Sequence, residues 1–418
     1  MILDELSLAN LKAMRLSCRR FAELAADYIF ECVWLYLDED SFARMTALSE
    51  HPTLRLKVNT VKIFSNLLSA DLLLRRDYEN CVKNLTFTGE GREAWGFDVD
   101  GKRTLSQAQL DAGFAEYHNL YNSQLDFRCK AEDLLQAAFS AFTNLIWITN
   151  GFLDEIFVNN NKLPYQQSKV TDIASKTLLA RDCAGWNGDA NDAEDALMLI
   201  RAIAMSECVI DTLDLGTAVC SYDCLFLELS PRDRVFAKQA LREIARLNIN
   251  LYSKNDEKFE QVLDAGHLSR FLSWCSVLDT LEVTNVGNGF VVSLHHLFGT
   301  VYWKGLRTLS LSDFDLTFVN LTTLIEKFGE TLQTLRIDGI TLYTGSWYRI
   351  FLAVKDMQMK GALKKFHPQE LRIANSEECF FEWTCDEKLL EKLSSFIFEE
   401  GVWPSEFPAG LMQEAGTT

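Results

Sequence analysis

A short apolar pattern recurs along the chain, and it constrains the fold more than any other feature. Aliphatic residues occupy the first, fourth and sixth positions of L-x-x-L-x-L at 278–283, 306–311 and 332–337. The first leucines of these triplets are 28 and 26 residues apart, a spacing typical of one strand followed by one helix. One such unit cannot bury its apolar faces alone, so neighbouring units must stack to complete a core.

Helical patterns fill the intervals between the triplets. Residues 318–328 follow the second triplet and 347–357 follow the third, with Ile350, Phe351 and Val354 on one side. Looser triplets precede them at Val58, Val61, Ile63; Val82, Leu85, Phe87; Phe142, Leu145, Trp147; and Ile210, Leu213, Leu215. The sequence therefore predicts an α/β fold, a leucine-rich-repeat-like solenoid of strand–helix units, over residues 37–402.

Two interruptions and a tail modify this regular plan. Residues 105–142 show helical periodicity and predict an inserted helix. The polar residues of 150–191 predict long surface loops, followed by a helix that begins near Asp192. Proline and glycine occur closely together after Trp403, so 403–418 is predicted to be a flexible tail.

Polar residues alternate with the apolar ones inside each triplet, so they lie on the opposite face of the strands. Solenoids commonly bind partners through that face. We therefore predict that an unknown target protein binds there. The residues predicted to bind it are Thr280, Glu282, Ser310, Arg336 and Asp338.

Composition and charge exclude several classes of protein. Hydrophobic residues make up 48% of the 418 residues, with 28 Phe and 9 Trp, which indicates a large folded core. The net charge of −18 argues against nucleic-acid binding, because phosphate contacts need clustered basic residues. No run of eighteen apolar residues without charges supports a membrane span.

The 11 cysteines are scattered, and no two of them form a CxxC pair. Together with the absence of a secretory signal, this pattern predicts reduced thiols and a cytoplasmic or nuclear protein.

The N-terminal segment has a helical apolar stripe of its own. Ser7 is a candidate N-cap, and the stripe after it is Leu11, Met14, Cys18, Phe21 and Ala25. Basic residues occupy the other side, namely Lys12, Arg15, Arg19 and Arg20. Periodicity alone predicts an amphipathic helix packed on the body of the protein.

The amino-acid sequence of this segment also resembles that of a known protein family. Residues 2–8 read ILDELSL and residues 11–21 read LKAMRLSCRRF, which resembles the second half of an F-box, with the closest likeness to fungal F-box proteins. The likeness continues through 28–35, which looks like the link to the first strand. The opening Leu-Pro turn of that family has no counterpart before Pro52, so 1–36 is an incomplete F-box-like segment. The Gly345-Ser346-Trp347 sequence is similar to a pattern in the repeats of the same proteins.

This resemblance implies a substrate-receptor subunit of a Skp-cullin-F-box ubiquitin ligase that has no catalytic residues or cofactors of its own. The Skp adaptor and its cullin complex would bind the N-terminal helices. The residues implied are Leu6, Leu8, Leu11, Met14, Cys18 and Phe21. One alternative is a solenoid scaffold without a ligase role, in which the segment only caps the first repeat; another is an enzyme of unrecognised type.

Motifs that would favour an enzyme or a metal protein are weak. Gly89 to Ala94 matches G-x-G-x-x-A, but the following residues do not begin a phosphate-binding helix. The acidic run 189–195 lacks the glycine and the bidentate acid of a calcium loop and predicts a helix start. Adjacent His295 and His296 would point to opposite sides of a strand, and no G-x-S-x-G occurs. We predict no metal site.

Overall fold

A computed structural model gives the structure of the chain. It describes residues 6, 8–64, 70–84, 105–150, 176–178, 193–216, 222–252, 256–285, 297–299, 301–359, 363–374, 379–384, 387–399, 403 and 407–412. Within these residues there are twelve α-helices and fourteen strands. The chain divides into two compact units, Met1–Val209 and Ile210–Thr418. The α/β class predicted from the sequence is confirmed.

The first unit begins with two helices rather than one. Helix α1 is Leu8–Ser17 and helix α2 is Arg19–Ile29. Cys18 lies between them with φ −161° and ψ 163°, an extended conformation that ends one helix and precedes the next. The continuous helical stripe expected from Leu11 to Ala25 is therefore wrong, because the helix axis changes at Cys18. Ser7 lies outside the described residues.

Three parallel strands follow in this unit. They are β1 (Cys32–Tyr36), β2 (Thr60–Phe64) and β3 (Trp147–Asn150), with β2 between the others. Val33, Val61 and Ile148 are aligned across the three strands. Helix α3 (Glu39–Glu50) follows β1, and the Asp38 carboxylate caps it by accepting from the Ser41 amide at 2.8 Å.

Three further helices complete the described part of the first unit: α4 (Arg75–Asn84), α5 (Gln107–Ala141) and α6 (Ala193–Ser206). The inserted helix predicted at 105–142 is confirmed as α5, and Ser106 starts it with a capping box. The helix predicted near Asp192 is confirmed as α6. The triplet predicted at Val82 is wrong, since Val82 is buried in α4; Leu85 and Phe87 lie outside the described residues.

Eleven described strands and six described α-helices make up the second unit. The strands are β4 (Thr212–Leu215), β5 (Tyr222–Asp223), β6 (Arg246–Tyr252), β7 (Thr280–Asn285), β8 (Thr308–Ser312), β9 (Asp315–Thr317), β10 (Thr334–Asp338), β11 (Ile340–Thr344), β12 (Lys365–Pro368), β13 (Glu370–Ala374) and β14 (Cys379–Thr384). The helices are α7 (Pro231–Leu241), α8 (Asp256–Asp264), α9 (His267–Leu272), α10 (Phe318–Phe328), α11 (Trp347–Met359) and α12 (Glu387–Phe398). The helices predicted at 318–328 and 347–357 are confirmed as α10 and α11.

The larger sheet of this unit is parallel, in the order β4-β6-β7-β8-β10-β12, with β5 beside the end of β6. The three clear leucine triplets are confirmed as neighbouring strands. Leu281, Leu309 and Leu335 are aligned across β7, β8 and β10, and all three are fully buried. The triplet predicted at Ile210 is also confirmed, as β4.

A repeated backbone feature joins the strand entrances. The carbonyl just before one strand accepts hydrogen bonds from two successive amides at the next entrance. The Asp279 carbonyl, for example, accepts from Arg307 and Thr308 at 2.7 and 3.0 Å, and the Arg307 carbonyl accepts from Gln333 and Thr334 at 2.8 and 2.9 Å. This arrangement fixes the register of β7, β8 and β10.

A second, smaller sheet was not predicted from the sequence. Its order is β9-β11-β13-β14, and only the β13–β14 pair is antiparallel. Strands β9 and β11 each follow a strand of the larger sheet after a corner with positive φ, at Asp313 (φ 60°) and Gly339 (φ 59°). Chain direction changes at these corners, so two short strands replace one long one.

The described residues near the C-terminus are packed. The Trp403 ring lies 4.9 Å from Phe407 and 5.3 Å from Phe396, and Leu411 is fully buried. This packing differs from the flexible tail predicted at 403–418, because large apolar side chains outweigh the local proline and glycine content. Among the helices that the structure describes, none has the length and apolar character needed to cross a bilayer.

Candidate protein-interaction surfaces

The predicted adaptor-binding residues differ widely in exposure. Leu11 is buried, at 7% exposed, whereas Leu6 and Met14 are half-buried. Cys18 and Phe21 are exposed. Leu8 lies in α1, and its side chain is outside the described part. The predicted set is therefore split between the interior and the surface.

Two leucines that the sequence prediction omitted are more exposed than most of that set. Leu16 in α1 is 88% exposed, and in α2 Leu24 is 40% and Phe21 is 45% exposed. Phe21 and Leu24 are three residues apart, so they lie on one side of α2. We call Leu16, Phe21 and Leu24 the helix-pair patch. Residue type could have identified Leu16 and Leu24, but the predicted stripe did not include them.

The helix pair also makes buried and charged contacts. Ala25 and Ala26 of α2 are buried. The Arg15 guanidinium lies 4.9 Å from the centre of the Phe30 ring, and Asp27 forms an ion pair with Lys57. The interior side of the pair is thus separate from the exposed apolar patch.

The predicted target-binding residues lie together on one face of the larger sheet in the second unit. Glu282, Ser310 and Arg336 are aligned across β7, β8 and β10. Thr280 precedes Glu282 by two residues, and Asp338 follows Arg336 by two, so both share the face. Each is half-buried or exposed, whereas the residues between them are buried. We call this surface the outer strand face.

Charged pairs cross the outer strand face. Arg336 Nη1 lies 3.7 Å from Glu282 Oε1, reaching past Ser310. At the strand entrances, Arg307 Nε lies 3.4 Å from Asp279 Oδ2 and Arg246 Nε lies 3.9 Å from Asp211 Oδ2. These exposed pairs add little stability, but they place acidic and basic side chains side by side along the face.

An aromatic surface lies on the strands of the first unit. Lys62 Nζ is 4.9 Å from the Trp34 ring and 5.9 Å from the Trp147 ring. The triplet that ended in Trp147 predicts an inward side chain, but Trp147 is 38% exposed and Ile148 is buried instead. A one-residue shift of the triplet relative to the strand accounts for the difference.

A polar cluster occupies the smaller sheet of the second unit. Asp315, Thr341 and Arg372 are aligned across β9, β11 and β13, and the Tyr343 hydroxyl donates to Asp315 Oδ2 at 3.4 Å. Burial raises the pKa of the Asp315 carboxyl, while the hydrogen bonds from Thr341 and Tyr343 and the charge of Arg372 oppose that rise. Burial is the larger effect, so the cluster carries a desolvated acid.

The described residues contain no metal site. There, no group of three or more His, Cys, Asp or Glu side chains could hold a metal ion. Asp195 is buried in the first turn of α6 and lies 2.5 Å from Arg128 of α5, which joins the two helices. Residues 89–94 and both His295 and His296 lie outside the described part.

No family model matches the chain, and no curated protein matches it. The helix-pair patch and the outer strand face are the surfaces of the chain that bear on its function.

Proposed function

We propose that this chain is a non-catalytic substrate-receptor subunit of a Skp-cullin-F-box ubiquitin ligase. Its α1–α2 pair binds the Skp adaptor, and the outer strand face of the second unit binds a target protein. In this proposal the strand–helix units belong to a leucine-rich-repeat-like solenoid, and residues 1–36 are an F-box-like segment.

The helix-pair patch is the observation that carries the proposal. Leu16, Phe21 and Leu24 expose apolar surface on adjacent helices although Ala25 and Ala26 of the same pair are buried. Contiguous exposed apolar surface is typical of a site that a partner covers, and we propose that these three side chains form one such surface. The patch falls within the residues that resemble an F-box, so the Skp adaptor is the partner we propose.

Support for the target-binding side comes from the outer strand face. Its polar side chains stand in aligned rows because β7, β8 and β10 are parallel and in register. Rigid strands hold side chains in place more accurately than loops do, which favours recognition. We therefore assign target binding to Thr280, Glu282, Ser310, Arg336 and Asp338.

A scaffold without a ligase role is the second candidate, and the burial of Leu11 favours it. A capping helix packs its apolar side chains internally, as Leu11 does. The two candidates differ over Leu16 and Phe21, which a cap would leave without a partner.

Co-purification separates these candidates. The tagged full chain is expressed with a Skp adaptor and compared with a Leu16→Asp, Phe21→Asp variant. We expect the natural chain to retain the adaptor and the variant to lose it while keeping its circular dichroism spectrum. If the natural chain retains no adaptor where a complete F-box protein does, the ligase role fails and the scaffold function replaces it.

A further inference from the structure

Three basic side chains adjoin one another at the β12 end of the outer strand face. Arg336 and His367 are aligned on β10 and β12, and Lys365 is aligned with Thr334, two residues before Arg336. Phe366 and Pro368 of β12 are buried, so Lys365 and His367 leave the strand on the opposite face, as Arg336 does. We call Arg336, Lys365 and His367 the basic cluster.

Charges around the basic cluster are few. Strand β8, next to β10, contributes only uncharged Thr308, Ser310 and Ser312 to this face. The acidic groups on the neighbouring positions are Glu282 of β7 and Asp338 of β10. The pKa of His367 lies below its usual value because of burial first, and then because of the positive charges of Arg336 and Lys365. His367 therefore experiences a positive local potential.

A carboxylate already approaches this cluster from within the chain. Glu282 reaches past β8 to lie 3.7 Å from Arg336, which is longer than a good charge-assisted hydrogen bond. Both side chains remain partly exposed, at 37% and 54%. A carboxylate supplied from outside could approach Arg336 more closely and contact Lys365 as well.

Building on the target-binding role proposed for the outer strand face, we propose that the segment bound there is acidic. An Asp or Glu carboxylate of the partner is held by Arg336 and Lys365, beside His367. The hydroxyls of Thr334, Thr308 and Ser310 lie next to this position and provide hydrogen bonds for the peptide on either side of the acid.

The chemistry favours a short acidic peptide over a long polyanion. The chain carries a net charge of −18, so a nucleic acid would be repelled over much of its length. Dissolved salt screens charges that are more than about 8–10 Å apart, so a single carboxylate is repelled only by the acidic residues close to it. The basic cluster spans two neighbouring strands, which fits one or two carboxylates.

The test uses the full chain and two fluorescein-labelled peptides, one of alternating Glu and Ser and one with Gln in place of every Glu. Fluorescence anisotropy measures both. We expect the Glu peptide to bind about tenfold more tightly than the Gln peptide, a difference of about 1.4 kcal/mol. Added salt should reduce that difference. Equal binding of the two peptides overturns the inference.

Variants assign the effect to the basic cluster. Arg336→Gln with Lys365→Gln should lower Glu-peptide affinity to that of the Gln peptide, whereas Glu282→Gln should raise it by removing the internal competitor. Arg242→Gln is the matched control, because Arg242 is an exposed arginine 2.8 Å from Glu243 on α7's C-terminal side. Unchanged Glu-peptide binding in the double variant would also overturn the inference.

Adaptor retention is measured on the same protein, so the two failures remain distinct. If the natural chain binds both peptides equally but retains the adaptor, the acidic partner alone is rejected. Glu-peptide binding without adaptor retention rejects the ligase role but keeps the peptide site.

Discussion

Glu282 and Arg336 form an ion pair across an intervening strand, with Glu282 Oε1 3.7 Å from Arg336 Nη1 and Ser310 of β8 between them. Neither residue lies next to the other in the sheet, so their side chains extend over the outer strand face. The small Ser310 side chain leaves room for this approach. The pair connects β7 to β10 without any backbone contact between them.

This ion pair is expected to contribute little to folding stability. Exposed pairs contribute about 0–1 kcal/mol, because water competes for both charges. Glu282→Gln should therefore change the free energy of unfolding, measured by urea denaturation, by less than about 1 kcal/mol. A larger loss would show that the pair is structural, and binding effects of the same variant would then have another cause.

Leu309 is expected to be far more important for stability. It is fully buried in β8, between Leu281 and Leu335 of the neighbouring strands. Leu309→Ala should lower the free energy of unfolding by about 2–5 kcal/mol, since it removes buried methyl groups and leaves a cavity. Leu352→Ala is the control, because Leu352 is 37% exposed on α11, and a similar loss there would contradict this account.

Gly345 occupies a position that a side chain would strain. Its φ is +78°, and an added Cβ would lie 2.5 Å from the Phe318 Cβ. Gly345→Ala should therefore lower the free energy of unfolding by about 1–3 kcal/mol. At Gly305 the nearest atom to an added Cβ is the Leu278 carbonyl oxygen, at 3.6 Å, so Gly305→Ala should be nearly neutral in the same urea titration.

The buried carboxyl of Asp315 should make the free energy of unfolding depend on pH. Because burial raises its pKa in the folded chain above the unfolded value of about 3.9, the native state holds the proton more tightly. The free energy of unfolding therefore falls as pH rises from the unfolded pKa through the folded pKa of Asp315, because deprotonation is harder in the folded chain. Asp315→Asn should be more stable than the natural chain at pH 7, and the gap should narrow toward pH 4.

Urea titrations at several pH values measure this gap. Leu309→Ala, which removes no titratable group, is the control, and its gap to the natural chain should not widen as pH rises. A gap that grows as pH falls would reverse the sign and contradict a pKa raised by burial.

Much of the larger sheet could be predicted from leucine spacing. Apolar and polar residues alternate at 281–283, 309–311 and 335–337. This alternation indicates strands that are buried on one face only, as when helices cover that face. Val82 was misplaced because a single apolar residue before Leu85 fits a helix as well as a strand. Local sequence does not decide between the two where the neighbouring residues are charged, as at Arg75–Asn84.

The smaller sheet and the helix-pair patch could not be predicted in the same way. Strands β9 and β11 depend on corners at Asp313 and Gly339, and only the folded backbone reveals that both corners have positive φ. Cys18 breaks the N-terminal helix, although its neighbours continue a helical period. The 88% exposure of Leu16 is a property of the folded chain that the predicted stripe did not include.

We propose that the helix-pair patch binds a Skp adaptor, and a calorimetric titration of purified adaptor into the full chain measures that binding. Leu125→Asp is the matched control, since Leu125 is 40% exposed on α5, close to the value for Phe21, and lies outside the patch. We expect saturable binding for the natural chain and for Leu125→Asp, and at least a tenfold loss, about 1.4 kcal/mol, for Leu16→Asp with Phe21→Asp. Absence of binding by the natural chain, or equal binding by the patch variant, would contradict the claim.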